Sequence, residues 1–156
     1  MKETTKTSIK NNILQLLLVI IICILASIQS TKNELITLSK ATETAWSNLE
    51  TDLLNEFGIA SQLNPNYTQL KQQFQTSGSL QEKIAVASKL QKEYPKLLEG
   101  KYTPQTTTIR QAFLKKAQLD SAEYNESVRL FNQTSAKKRY AWMARKLQFS
   151  PKPLFD

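Results

Sequence analysis

ILQLLLVIIICILASI, Ile13 to Ile28, runs straight into QSTKNELITLSKATETAWSNLETDLLNEF, Gln29 to Phe57. The first piece is almost wholly apolar and, with its flanks, reaches the roughly 20 residues that cross a bilayer. Its lipid-facing residues are Ile13, Leu16, Leu17, Leu18, Val19, Ile20, Ile21, Ile22, Cys23, Ile24, Leu25 and Ala26. So continuous and so β-branched a run fits lipid better than a protein core. Signal-peptide cleavage needs small residues one and three positions before the cut. A cut after Ser30 has Ile28 at the third position, and a cut after Ser27 has Leu25. An uncleaved single-pass anchor is therefore expected over residues 13–30, after a short basic tail (1–12) and before a domain (31–156).

The second piece has another rhythm. Leu35, Leu38, Ala45, Leu49, Leu53, Phe57, Ala60 and Leu63 recur in steps of three and four, or sums of these, which marks one face of a helix. No breaker separates it from the anchor, so the span is expected to continue into the first helix of the domain. Gly58 weakens that helix by about 1 kcal/mol against Ala without ending it.

Working outward, three more helical stripes follow. Asn64-Pro65 reads as an N-cap with proline at the first helical position, before Tyr67, Leu70 and Phe74. TSGS stops that helix. Leu80, Ile84, Ala87, Leu90 and Tyr94 form the third stripe, which Pro95 is expected to end or kink, with a loop at Gly100 and Pro104. Thr106 to Thr108 supply capping hydroxyls for a fourth helix carrying Ile109, Phe113, Ala117, Ser121, Tyr124, Val128 and Phe131. No segment alternates as a strand does. Each helix is polar on its other face, so the expected fold is all-α: a transmembrane helix followed by an antiparallel up-and-down bundle of about four helices. A long coiled coil is the rival, and Pro65, Gly78, Pro95 and Gly100 oppose it.

The composition agrees. Only three glycines and five prolines interrupt 156 residues. The formal charge of +8 draws the surface toward anions, lipid headgroups included. There is no histidine and one cysteine, which removes Ser-His and Cys-His nucleophiles, the commonest metal ligand and any internal disulfide. Acids are scattered along helical stretches. No catalytic residue, metal site or cofactor is expected. Lys2, Lys6, Lys10 and the α-amino group precede the span, against Lys32 and Lys40 after it, so the positive-inside rule places the domain on the extracytoplasmic side.

Three segments resemble one family. NELITLSKATETAWSNLETDLL, with Ala45, Trp46 and Ser47, resembles the Ala-Trp-Ser helix that follows the span in LemA-family proteins. EYNESVRLFN resembles their Tyr-Asn-x-Ala-Val-x-x-Tyr-Asn helix through Tyr124, Asn125, Val128 and Asn132, with Ser127 and Phe131 as replacements. LQFSPKPLFD is similar to their closing Phe-x-x-x-Pro-Tyr-Phe-Glu through Phe149, Pro153 and Phe155, with Leu154 and Asp156 in place of Tyr and Glu. Much of the family's long second helix is absent, and SAKKRY replaces an apolar Phe-Pro-Gly turn. The resemblance implies a shortened, divergent member: a membrane-tethered four-helix bundle in bacteria, with no settled activity.

The tail then offers three readings. Ala136, Tyr140, Met143 and Leu147 share a helical face, flanked by Trp142, while Lys137, Lys138, Arg139, Arg145 and Lys146 fall mostly elsewhere. That face packs on the bundle while Pro151, Pro153 and Phe155 fold the end back over it; or the helix lies on an anionic membrane surface; or, least favoured, it contacts nucleic acid. The functional expectation is a non-catalytic membrane scaffold for protein partners, compatible with oligomerisation, with lipid docking through the basic helix as the alternative.

Overall fold

A computed structural model describes residues 2–97 and 104–155. Among them there is no strand, and five helices succeed one another: α1 Lys2–Leu63, α2 Asn66–Thr76, α3 Leu80–Leu97, α4 Pro104–Ala136 and α5 Lys138–Lys146. Gly100, Asp156 and the side chains of Leu63, Tyr94, Ile109 and Phe113 lie outside the described residues.

With nothing to break it, α1 is a single rod of 62 residues. The large side chains from Ile13 to Leu25 are 45–66 % exposed, so no part of the domain covers them. By length and composition this end of α1 can cross a membrane. Beyond Thr31 the same rod acquires a buried seam. Leu35, Thr42, Leu49 and Glu56 recur every seventh residue, with Ala45, Leu53, Phe57 and Ala60 beside them.

Pairings between helices fix their directions. The Thr42 hydroxyl lies 3.5 Å from the Ser127 carbonyl oxygen, and Asp52 pairs with Lys116, so moving ten residues along α1 moves eleven back along α4. The two helices are antiparallel. α2 turns back on α1, bringing Phe74 to 5.1 Å from Phe57. α3 reverses again: the Tyr67 hydroxyl donates to Glu93 at 3.2 Å, and Lys83 sits 5.7 Å over the Phe74 ring. Lys83 also reaches Glu50 of α1 at 2.5 Å. Leu49, Leu53, Phe57, Phe74, Leu90, Tyr124 and Val128 fill the space between the helices.

Local chemistry sets the helix ends. The Asn64 side chain accepts the Asn66 N–H at 3.1 Å, and Pro65 already has helical dihedrals (φ −54°, ψ −25°). The start of α3 is a reciprocal box. The Ser79 hydroxyl accepts the Glu82 N–H at 3.2 Å, and the Glu82 carboxylate accepts the N–H groups of Ser79 and Gly78 at 3.3 and 3.2 Å. Ser79→Ala is expected to cost about 1 kcal/mol in a denaturant titration. Glu82→Gln, which preserves the box, is expected to cost less; equal losses would locate the effect elsewhere.

Three expectations are corrected. α3 does not end at Pro95 but continues to Leu97. So late in the helix, proline forfeits one N–H bond, to the Gln91 carbonyl. α4 begins at Pro104, suited to a first helical position, so Thr106 to Thr108 lie inside the helix and do not cap it. Finally, Ala136 does not share the apolar face of the last helix. Lys137 is extended (φ −63°, ψ 140°), and this break resets the helical phase. Ala136 is exposed, and Ala144 joins Tyr140 and Met143 against Leu35.

Candidate functional site

The end of α5 redirects the chain. Gln148 takes a left-handed conformation (φ 57°), its N–H bonds the Arg145 carbonyl at 3.1 Å, and the Phe149 N–H bonds the Ala144 carbonyl at 2.9 Å. This pair of bonds is a Schellman closure. It sends residues 149–155 back along α4 as an extended strap.

Two asparagines hold the strap. Asn132 accepts the Lys152 N–H at 2.9 Å and donates to the Lys152 carbonyl at 2.9 Å. Asn125 does the same for Phe155, both bonds being 2.7 Å. Their spacing explains the match. Seven residues of helix rise about 10.5 Å, and three residues of extended chain cover about 10 Å. Each carboxamide therefore meets the backbone of one strap residue. Between them the Tyr124 hydroxyl donates to the Pro153 carbonyl at 2.8 Å, and burial pushes its pKa up to about 12.

Rings close the sides. Trp46 meets Tyr124 edge-on at 5.4 Å, and Phe149 meets Phe131 at 5.6 Å. Phe155 is buried with Ala45 and Val128. Among the described motif residues Ser47, exposed on α1, and the replacement Leu154 stand apart. Lys152 was not legible from sequence. Its ammonium donates to the Ser39 carbonyl and hydroxyl at 3.2 and 3.1 Å, tying the strap to α1, and stands 5.1 Å from the Phe131 ring centroid. Nothing in a lysine between two prolines signals that contact.

The second region is where α5 meets α1. Tyr140, Met143 and Ala144 are buried against Leu35, with Ile28, Leu147 and Phe149 around them. The Tyr140 hydroxyl donates to Glu34 at 2.5 Å, and that bond, ahead of burial, raises the phenol's pKa. The face that a surface-lying amphipathic helix would insert into lipid is thus covered by α1. Lys137, Lys138, Arg139, Arg145 and Lys146 are all exposed. Trp142 is 41 % exposed, and with Arg139 it borders a groove over Ile24, Ser27, Ile28 and Thr31, at the last turns of the apolar run.

A third region is polar. Lys116 pairs with Asp52 and, at 3.5 Å, with Asp120. Asn48 and Thr51 complete this shallow surface of about 290 Å³. One turn along α1 from Asp52, Glu56 is buried with neither carboxyl oxygen bonded. Burial, then the Asp52 charge, pushes its pKa up to about 7. Burial, then Asp52, also raises Asp120. Lys116 bridges the two aspartates and offsets one of their two charges, and no group of three acids or cysteines among the described residues is placed to hold a metal ion.

No family model, no curated protein and no solved structure matches the chain.

Proposed function

We propose that the chain is a shortened, divergent LemA-family protein of the bacterial cell membrane, acting as a non-catalytic, single-pass scaffold. In this reading residues 13–30 anchor it, and α1 to α4 form an antiparallel up-and-down bundle that presents surfaces to protein partners. Support for the family reading is that its three separated segments meet in one interlock of Trp46, Tyr124, Asn125, Asn132 and the strap. The observation that carries the function is the unbroken α1: the rod with uncovered apolar side chains is the rod that forms the core seam. A bundle so joined to its stem stands at a fixed distance from lipid, as a scaffold requires. Leu119 and Leu130, 61 % and 51 % exposed on α4, offer partners an apolar contact. The bundle lies on the extracytoplasmic side, because Lys32 and Lys40 are the domain's cations near enough in sequence to set orientation, and they are fewer than those before the span.

Docking to anionic lipid through α5 is the second reading. Its exposed cations beside the apolar run favour it. With the apolar face covered, docking would be electrostatic and not insertional. Nucleic acid is disfavoured, since stacking along a strand needs successive open rings and α5 leaves only Trp142 open, Tyr140 being buried.

Depth-dependent quenching of the full chain in vesicles tests the placement. Trp142 is expected to be quenched by lipids brominated near the headgroup. Trp46, 18 residues beyond Ile28 and so about 27 Å further along the helix, is not. Trp142→Phe should abolish the quenching. Quenching that persists in that variant, or a chain that carbonate strips from membranes, overturns the reading. Alkylation of a cysteine placed at exposed Ser47 by an impermeant reagent tests sidedness.

A further inference from the structure

We propose that the groove between α1 and α5 seats one anionic phospholipid, with its phosphate on Arg139 and an acyl chain along Ile24 and Ile28. The inference rests on the anchor reading above and adds a site, a ligand class and a stoichiometry.

The groove holds about 220 Å³ and is lined by Ile24, Ser27, Ile28, Thr31, Arg139 and Trp142. Its composition changes along the α1 axis. Ile24 continues the exposed apolar surface of the span and half-buried Ile28 follows it toward α5, whereas Ser27 and Thr31 put small side chains between and beyond them. Thr31 is buried at the end of the groove, and its hydroxyl is satisfied by the Ser27 carbonyl at 2.8 Å. Across the groove stand a guanidinium and an indole. That is the order of a phospholipid read from chain to headgroup, and indole and guanidinium are the side chains that settle at the lipid–water boundary.

Arg139 is available for the phosphate. Its guanidinium lies 5.6 Å from the Tyr140 ring centroid, and no carboxylate among the described residues pairs with it. The nearby Glu34 is bonded to the Tyr140 hydroxyl. Arginine gives phosphate two parallel hydrogen bonds, whereas lysine offers a point charge. The surrounding Lys137, Lys138, Arg145 and Lys146 favour a lipid with net negative charge over a zwitterionic one. The groove opens onto the exposed side chains of the span, so a bilayer lipid reaches it by lateral diffusion.

Native mass spectrometry of the full chain released from mixed phosphatidylglycerol and phosphatidylcholine nanodiscs tests this. One retained phosphatidylglycerol per chain is expected, in excess over phosphatidylcholine. Arg139→Gln should lower that preference about fivefold, the equivalent of one phosphate contact near a membrane surface. Ser27→Leu, which fills the groove from the lipid side, should remove the retained lipid while Arg139 and the melting temperature stay unchanged. Lys89→Gln, exposed on α3 and away from the groove, should keep the one-to-one complex. Equal retention of both lipids, or a preference indifferent to Arg139 and Ser27, overturns the site. So does a lipid-free dimer in which Trp142 is protected, since a second copy would then cover the groove. Carbonate extraction separates the two claims: a chain that stays in the membrane yet retains no anionic lipid loses the groove alone, and a chain that washes off loses the anchor as well.

Discussion

Changing Asn125 and Asn132 together to alanine releases the C-terminal strap and lowers the domain's stability by about 5.5–7 kcal/mol. The double substitution removes four hydrogen bonds to the backbone of Lys152 and Phe155. Each bond contributes about 1 kcal/mol net. Phe155, buried beside Val128 and Ala45, leaves the core with the strap and takes about 1.5–3 kcal/mol of burial with it. Each single substitution should cost about 2 kcal/mol, because one asparagine still anchors half the strap. Aspartate discriminates further. It accepts the N–H but repels the carbonyl, so Asn132→Asp at neutral pH should be worse than Asn132→Ala. Denaturant unfolding followed through Trp46, which reports its edge contact with Tyr124, measures the loss. Carboxypeptidase trimming should accelerate before global unfolding does. A double variant within 1 kcal/mol of the parent would mean that the strap is held by other contacts.

The strap also shows what a single sequence discloses. Hydrophobic periodicity locates the helices, because α1 to α4 each bury one apolar face and water enforces that pattern on the chain. It also places Tyr124, Val128 and Phe131 inward. The pairing of Asn125 and Asn132 with the tail leaves a trace too, since a fixed two-turn spacing on a helix matches a three-residue step in the tail. Ser39, Thr42, Asp52 and Glu56 were missed as core residues although all are buried. Periodicity counts apolar side chains, and these are polar. Neighbours explain the burial of three: Ser39 takes the Lys152 ammonium, Thr42 bonds back to the Leu38 carbonyl at 2.9 Å and lets α4 approach, and Asp52 meets Lys116, whereas Glu56 has no such partner. The Ser79–Glu82 box was legible in its spacing and passed over. The break at Lys137 was not legible, for Ala-Lys-Lys-Arg contains no residue averse to helix, and the turn follows from α5 docking on Leu35. For the candidate site, sequence found the basic and aromatic residues of α5 but not their neighbour. That the groove lies against Ile24 and Ile28 depends on α5 folding back on α1, across more than a hundred residues of chain.

Glu56 gives the second large effect. Burial and the Asp52 charge hold its pKa at about 7 in the folded protein, against 4.5 for a solvated glutamate. The folded state therefore binds the proton more tightly than the unfolded chain does. Stability is highest where both states are protonated, falls as pH rises from about 4.5 to about 7, and is flat beyond, where both are ionised. A difference of about 2.5 pKa units corresponds to about 3 kcal/mol. Asp120, also raised, adds a loss of the same sign. Lys116, raised by its bond to Asp52, titrates in alkaline solution and leaves this window untouched. Unfolding of the full chain in a non-ionic detergent, measured at pH 5 and pH 8, should thus show a markedly less stable domain at pH 8. Glu56→Gln should flatten most of that difference and raise stability at pH 8 by up to about 3 kcal/mol, less the cost of burying an unbonded amide. A parent whose stability is unchanged or rising between pH 5 and pH 7 would show that the Glu56 carboxylate finds a partner or water on ionising. Because Glu56 lies on the buried seam of α1, the cost of ionising it falls on the packing that holds the rest of the bundle to the stem helix.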